Sequence, residues 1–180
     1  MVTIFSENYT SICVSLKVKF EAYETLSPIG DFDAFTLYIS NPGFIFDRDP
    51  VEIYESLKEI EELTGNRNFG MEEVGWNAYE GLQGNENDQQ QAVSYFFDYL
   101  EEAPDRLEFM TWFLLHDGNK EDCRKSAETF FEPGDPILEN DDFMNPFSDF
   151  ICYLGLIESD GTQRKGWNEF EKRANKYESY

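Results

Sequence analysis

Apolar and polar positions alternate along short stretches of this chain and recur at helical spacing along longer ones. Residues 15–23 read Ser-Leu-Lys-Val-Lys-Phe-Glu-Ala-Tyr, apolar at every second position and rich in β-branched and aromatic side chains, which predicts a strand. The connection 25–33 holds Pro28 and Gly30 and is too short for a full crossover helix. Residues 34–40 predict a second strand, closed by Asn41-Pro42-Gly43. Asp49-Pro50 then supplies a capping side chain and a proline at the first helical position. Ile53, Tyr54, Leu57, Ile60 and Leu63 fall on one face before Gly65 stops the helix.

A third strand covers 69–74, and a polar, glycine-containing loop follows over 75–87. Residues 88–103 carry Val93, Phe96, Phe97 and Leu100 on one helical stripe that ends at Pro104. The run 107–115 is almost continuously apolar, the pattern of a strand covered on both faces. Helical pieces are predicted over 121–131, over 146–154 behind an Asn145 cap, and over 165–177 with Trp167, Phe170 and Ala174 in register. An acid-, Pro- and Gly-rich loop over 132–143 and a turn at Gly161 separate them. Strands alternating with helices predict the α/β class with four parallel strands. Four strands leave two open edges, which is an incomplete object.

The 180 residues fit a single domain, 1–180, in which 1–14 reads as the remnant of a preceding helix. An aromatic content of 17% excludes a disordered acidic tail. With 14 basic against 37 acidic residues the net charge is -23, which repels nucleic acid and anionic membranes alike, so neither is an expected partner. The start of the chain lacks a basic stretch followed by an unbroken apolar core, so no signal peptide is read on it. No apolar run reaches spanning length either, and the chain reads as soluble. Cys13, Cys123 and Cys152 are odd in number and lack CxxC spacing, which argues against a disulfide framework and a zinc site; a Cys123–Cys152 bridge stays open should the protein be exported. Asp135, Glu139, Asp141 and Asp142 offer calcium-type oxygens, but an ordinary acidic loop is the simpler reading, and neither metal nor cofactor is expected.

The chemistry concentrates where the third strand ends, at Glu72-Glu73-Val74-Gly75-Trp76. Acids at a strand end place charge at the rim of a sheet, where it stays hydrated. Glu72 and Glu73 have opposite strand parity, so only one can face the mouth of a curved sheet. Glu73 is the candidate.

This stretch is followed by Phe109-Met110-Thr111-Trp112-Phe113-Leu114-Leu115-His116-Asp117, by Tyr153-Leu154-Gly155-Leu156, by Asp160-Gly161-Thr162, and by Lys165-Gly166-Trp167 with Phe170. In that order and spacing the chain, from about residue 16 to 170, resembles the C-terminal part of (β/α)8-barrel glycoside hydrolases. It is most similar to arabinogalactan endo-β-1,4-galactanase-like retaining β-glycosidases and uncharacterised barrel proteins near them. The resemblance implies a partial TIM barrel whose strands are the fifth to eighth, with sites at their C-terminal ends. It implies Glu73 as nucleophile, a carbohydrate ligand and a secreted parent protein. By the same analogy Tyr38 could hydrogen-bond the nucleophile, Trp112 could floor a sugar ring, Trp76 could line a subsite and His116 could touch ligand. An aromatic on a strand serves a core as readily, and His116 serves a turn as readily.

One departure governs the functional expectation. Retaining hydrolysis needs a second carboxylate roughly 5 Å from the nucleophile, and the family carries it at the end of the fourth strand, ahead of the matched region. Hydrolysis is therefore expected only of a completed barrel, rebuilt as a homodimer or with a missing N-terminal half. The alternative is a non-catalytic carbohydrate-binding or structural barrel fragment.

Overall fold

The computed structural model describes residues 2–5 and 32–177. Strands β2 (Asp33–Tyr38), β3 (Phe69–Gly75) and β4 (Leu107–Trp112) lie side by side in chain order and are parallel, and β1 (Val2–Phe5) pairs parallel with β2. Helix α1 (Glu52–Thr64) links β2 to β3, and α2 (Glu86–Glu102) links β3 to β4. Then α3 (Lys120–Glu128), α4 (Asp141–Cys152) and α5 (Lys165–Ala174) complete the described chain. The class is α/β, a parallel sheet with helices. The strand predicted over 15–23 lies outside the described residues, as does Cys13.

One face of the sheet makes the core. Phe35 and Leu37 of β2 and Phe69, Met71 and Val74 of β3 are buried together with Ile53, Leu57 and Ile60 of α1 and Val93, Phe96 and Phe97 of α2. The helical stripes read from sequence are the faces that pack there. Helix α1 begins at Glu52 rather than at Pro50; Asp49 lies in the turn just ahead, its carboxylate accepting from the Val51 N–H at 3.0 Å, and Gly65 ends the helix at φ 57°. Asn85 caps α2 by accepting from the Asn87 and Asp88 N–H groups, so the helix starts at Glu86, two residues before the predicted 88.

Other boundaries differ from the sequence reading for identifiable reasons. Helix α4 begins at Asp141 rather than after Asn145, with Pro146 inside the helix. The acids Asp141 and Asp142 occupy the first turn, where the helix dipole favours them, and the proline read as a start falls in the second turn. Strand β4 ends at Trp112 because Leu114 takes a left-handed backbone (φ 66°). Nor is it covered on both faces: Glu108, Phe109 and Thr111 are exposed. An apolar run alone does not reveal which neighbours a strand has.

The two ends of the sheet are built differently. At the N-terminal ends of the strands Arg67 pairs with Asp33 at 2.7 Å. Arg106 lies 4.9 Å over the Phe69 ring and donates to the Glu61 carbonyl, the Arg67 carbonyl and the Thr64 hydroxyl. A disulfide, Cys123–Cys152, ties α3 to the last residue of α4. Among the described residues no helix is long and apolar enough to cross a membrane, and no group of three or more His, Cys, Asp or Glu could hold a metal, the acids around Asp135 included.

Candidate active site at the end of β3

Strand alternation is interrupted in β3. Met71 lies opposite Phe35 of β2, yet Glu73 lies opposite the next residue, Thr36, so Glu72 is the extra residue of a β-bulge. Val74, which follows, is buried in the core, so Glu73 projects to the other face of the sheet, where Thr36 and Tyr38 lie. There the Tyr38 hydroxyl donates to Glu73 Oε2 at 2.9 Å. The carboxylate is half-buried, and Tyr38 is buried.

Tyr38 is held from several sides. Its ring meets Phe150 edge-on at 5.0 Å and Phe113 at 6.0 Å. It also passes so close to Gly75, its cross-strand neighbour, that a Cβ there would lie 2.7 Å from the ring. Glycine at 75 is thus what lets the phenol lie flat against β3 and reach Glu73. Burial, and after it the Glu73 charge and the hydrogen bond, push the Tyr38 phenol far above the usual tyrosine range. It stays a neutral proton donor throughout any working pH.

The other sequence candidates stand elsewhere. Trp76 is fully buried, its ring edge-on to Phe46 at 5.6 Å, so it is a core residue and lines no subsite in this arrangement. Trp112 is turned into the helix layer, 5.6 Å from the Phe96 ring of α2. It is not placed as an open floor. His116 is exposed just past β4 and forms an isolated bridge with Ile157.

Its neighbour Asp117 is instead a structural acid. Its Oδ2 lies 2.6 Å from the Arg164 guanidinium, and its Oδ1 accepts the Gly155 N–H at 2.9 Å. Arg164 and the buried Gln89 both donate to the Gly155 carbonyl. Gly155 is required, since a Cβ there would sit 2.5 Å from the Asp117 backbone nitrogen. Burial raises the Asp117 carboxyl above the usual range, with the Arg164 charge and the Gly155 N–H pulling the other way.

Sequence reasoning missed the aromatic shell around Tyr38. Phe44, in the turn after β2, stacks on Phe150 at 5.1 Å and contacts Phe147 and Phe143. No role is read for it from the sequence. Among the described residues the non-glycine positions with positive φ are Phe44, Gln83 and Leu114, one in each loop that leaves the C-terminal end of β2, β3 and β4. Such backbone costs about 1–3 kcal/mol per residue and clusters where function constrains a chain.

No protein-family model and no curated protein matches the chain. Two solved structures are similar over most of it, both of GH5_18 from Bifidobacterium longum subsp. longum. One, a variant in complex with Manβ1-4GlcNAc, has 19% identity and a TM-score of 0.46 over 83% of this chain and 31% of that one. The other has 17% identity and a TM-score of 0.46 over 84% and 32%. The chain thus spans about a third of the length of the proteins it is similar to.

Proposed function

We propose that this chain is the C-terminal half of a glycoside-hydrolase-like barrel, with Glu73 as the carboxylate that attacks the anomeric carbon and Tyr38 as the donor that orients it. The observation that carries the reading is the 2.9 Å Tyr38–Glu73 hydrogen bond at the C-terminal end of a parallel strand. A nucleophilic carboxylate needs no proton removed; it has to be aimed and partly shielded from water, and one buried, neutral phenol donor does both. The chain-order parallel sheet supports the reading, since such folds gather their chemistry at this end of the strands. So do the motifs that resemble the retaining glycosidases.

Protonation of the leaving group is assigned to a second carboxylate from the remainder of a complete barrel, supplied by an N-terminal half or by a second copy of the chain. The substrate is a β-linked carbohydrate.

An activated glycosyl donor isolates the step this half can perform, because a good leaving group needs no general acid. A 2-deoxy-2-fluoro-β-galactoside with a dinitrophenolate leaving group should add one glycosyl group to the peptide containing Glu73. Mass spectrometry should find it there, and Glu73→Gln should lose it. Unactivated β-galactan should not be turned over by the chain alone. A label on a different carboxylate, or turnover that survives Glu73→Gln, would remove Glu73 from this role.

A further inference from the structure

Beside the loop that leaves β3 lies an open cavity of about 620 Å³, within the size range of small-molecule sites. Its walls include Tyr79, Tyr153, Glu86, Asn87, Glu158 and Lys165, and neither Tyr38 nor Glu73 lines it. We propose that this cavity binds a neutral polyhydroxylated ring, a mono- or disaccharide, at a site separate from the Tyr38–Glu73 pair.

The aromatic wall is built in advance. The rings of Tyr79 and Tyr153 stack 4.4 Å apart at 19°. The backbone beneath them is fixed, since the Ala78 N–H donates to the Tyr153 carbonyl at 3.1 Å. The fully buried Asn77 side chain accepts from the Tyr79 N–H at 2.8 Å and donates to the Phe150 carbonyl at 2.9 Å. The turn itself closes through the Gly84 N–H to the Tyr79 carbonyl, and a Cβ at Gly84 would fall 2.2 Å from the Asn77 backbone carbonyl oxygen. Holding two large, half-exposed rings in this way costs conformational freedom that a purely solvated loop would keep.

The polar wall mixes donors and acceptors. Lys165 opens α5 and reaches α2, its ammonium donating to Asn87 Oδ1 at 2.6 Å and its backbone N–H to Glu86 Oε2 at 3.3 Å. The Asn87 amide is left with donors, Glu86 and Glu158 with acceptor oxygens. Vicinal hydroxyls are each donor and acceptor at once, so a sugar ring can satisfy such a set while resting an apolar face on an aromatic wall. An anionic ligand is disfavoured because Glu80, Glu86 and Glu158 outnumber Arg164 and Lys165 in the lining, with Arg164 already paired to Asp117, and by the net charge of -23. A small cation meets the Lys165 ammonium on the same wall. The inference does not depend on Glu73 being catalytic.

The test is titration of the full chain with β-1,4-galactobiose, followed by amide chemical shifts, with glucosamine and galacturonic acid as cationic and anionic comparisons. Saturable shifts are expected around residues 79, 87 and 153 with the neutral disaccharide. Affinity should fall at least tenfold in Tyr79→Ala and in Asn87→Ala, with the far-UV dichroism of each variant checked. Asn87 is exposed and outside the core, so its variant keeps the test informative should Tyr79→Ala fail to fold. No saturable shift at tens of millimolar, equal binding by Asn87→Ala, or preference for a charged sugar would each overturn the proposal. Lost binding with Glu73 still labelled removes this site alone, and binding without a label removes the nucleophile alone.

Discussion

Replacing Tyr38 by Phe removes one hydroxyl and leaves the ring, with its edge contacts to Phe113 and Phe150, in place. The lost hydrogen bond goes to a carboxylate, and such bonds contribute about 1.5–3 kcal/mol. Glu73 is only half-buried, so water can take the vacated lone pair, and a loss near the lower end, about 1.5 kcal/mol, is expected at neutral pH. A second effect enters above the ordinary tyrosine value of 10.0. The unfolded chain then ionises Tyr38, whereas in the folded chain burial, the Glu73 charge and the hydrogen bond hold the proton. The unfolded state binds fewer protons, so stability falls with rising pH by about 1.4 kcal/mol per unit for this one group. The contribution is therefore whole below pH 10.0 and is lost between there and the raised folded value. The Phe variant has no such proton to hold. Its disadvantage at neutral pH should vanish near pH 11 and reverse above it, by the same slope of about 1.4 kcal/mol per unit. Urea unfolding of both chains at steps from about pH 7 to 11.5 measures this, and Tyr99, also raised by burial, contributes equally to both and cancels. Parallel stability curves would show that Tyr38 ionises as an exposed tyrosine does, and would dismantle the account of the pair.

Asp117→Ala strands the buried Arg164 guanidinium and the Gly155 N–H, and should cost about 3–5 kcal/mol in urea unfolding. Joint replacement Asp117→Leu with Arg164→Met should cost less than the single change, and a single-variant loss below about 1 kcal/mol would mean the ion pair is not formed in solution. The Cys123–Cys152 bridge closes a separation of 29 residues, worth about 3–4 kcal/mol. Reduction should therefore lower the melting temperature by about 10 °C, and peptide mapping without reductant should recover residues 123 and 152 linked. Recovery of both as free thiols after air-exposed purification would refute the bridge.

How much of this was legible in sequence depended on the range of the signal. The helices α1 and α2 were placed by their own period, by Asp49 and Gly65, and by Pro104, all of them local. Trp76 was legible too: it stands two residues beyond the buried Val74, and strand parity sends it to the same helix-covered face, against a subsite role. Helix α4 was misread because Pro146 outweighed the acids ahead of it. The Tyr38–Glu73 contact could not be read from alternation, because the bulge at Glu72 breaks the parity on which that reading relies. It entered through resemblance to a family, and the geometry supplies its own reason for it. The Asp117–Arg164–Gly155 arrangement gives no local signal at all, since its members meet only when the segments after β4 and before α5 are folded together.

The bulge is also the reason that Glu73 is available. With regular alternation from Met71, a residue of the core face, residue 73 would point into the helix layer and the carboxylate would be buried without a partner, at a cost of several kcal/mol. One extra residue reverses that side chain, and Gly75, two positions on, makes room for the phenol that meets it. A strand kept only for packing would gain from losing both features: regular pairing in place of the bulge, and a side chain at 75 in place of glycine. The chain keeps both, next to each other, at the sheet end where β2 and β4 also lead into left-handed residues. Local preferences given up together at one rim are what a site demands of a scaffold, and this supports the role proposed for Glu73.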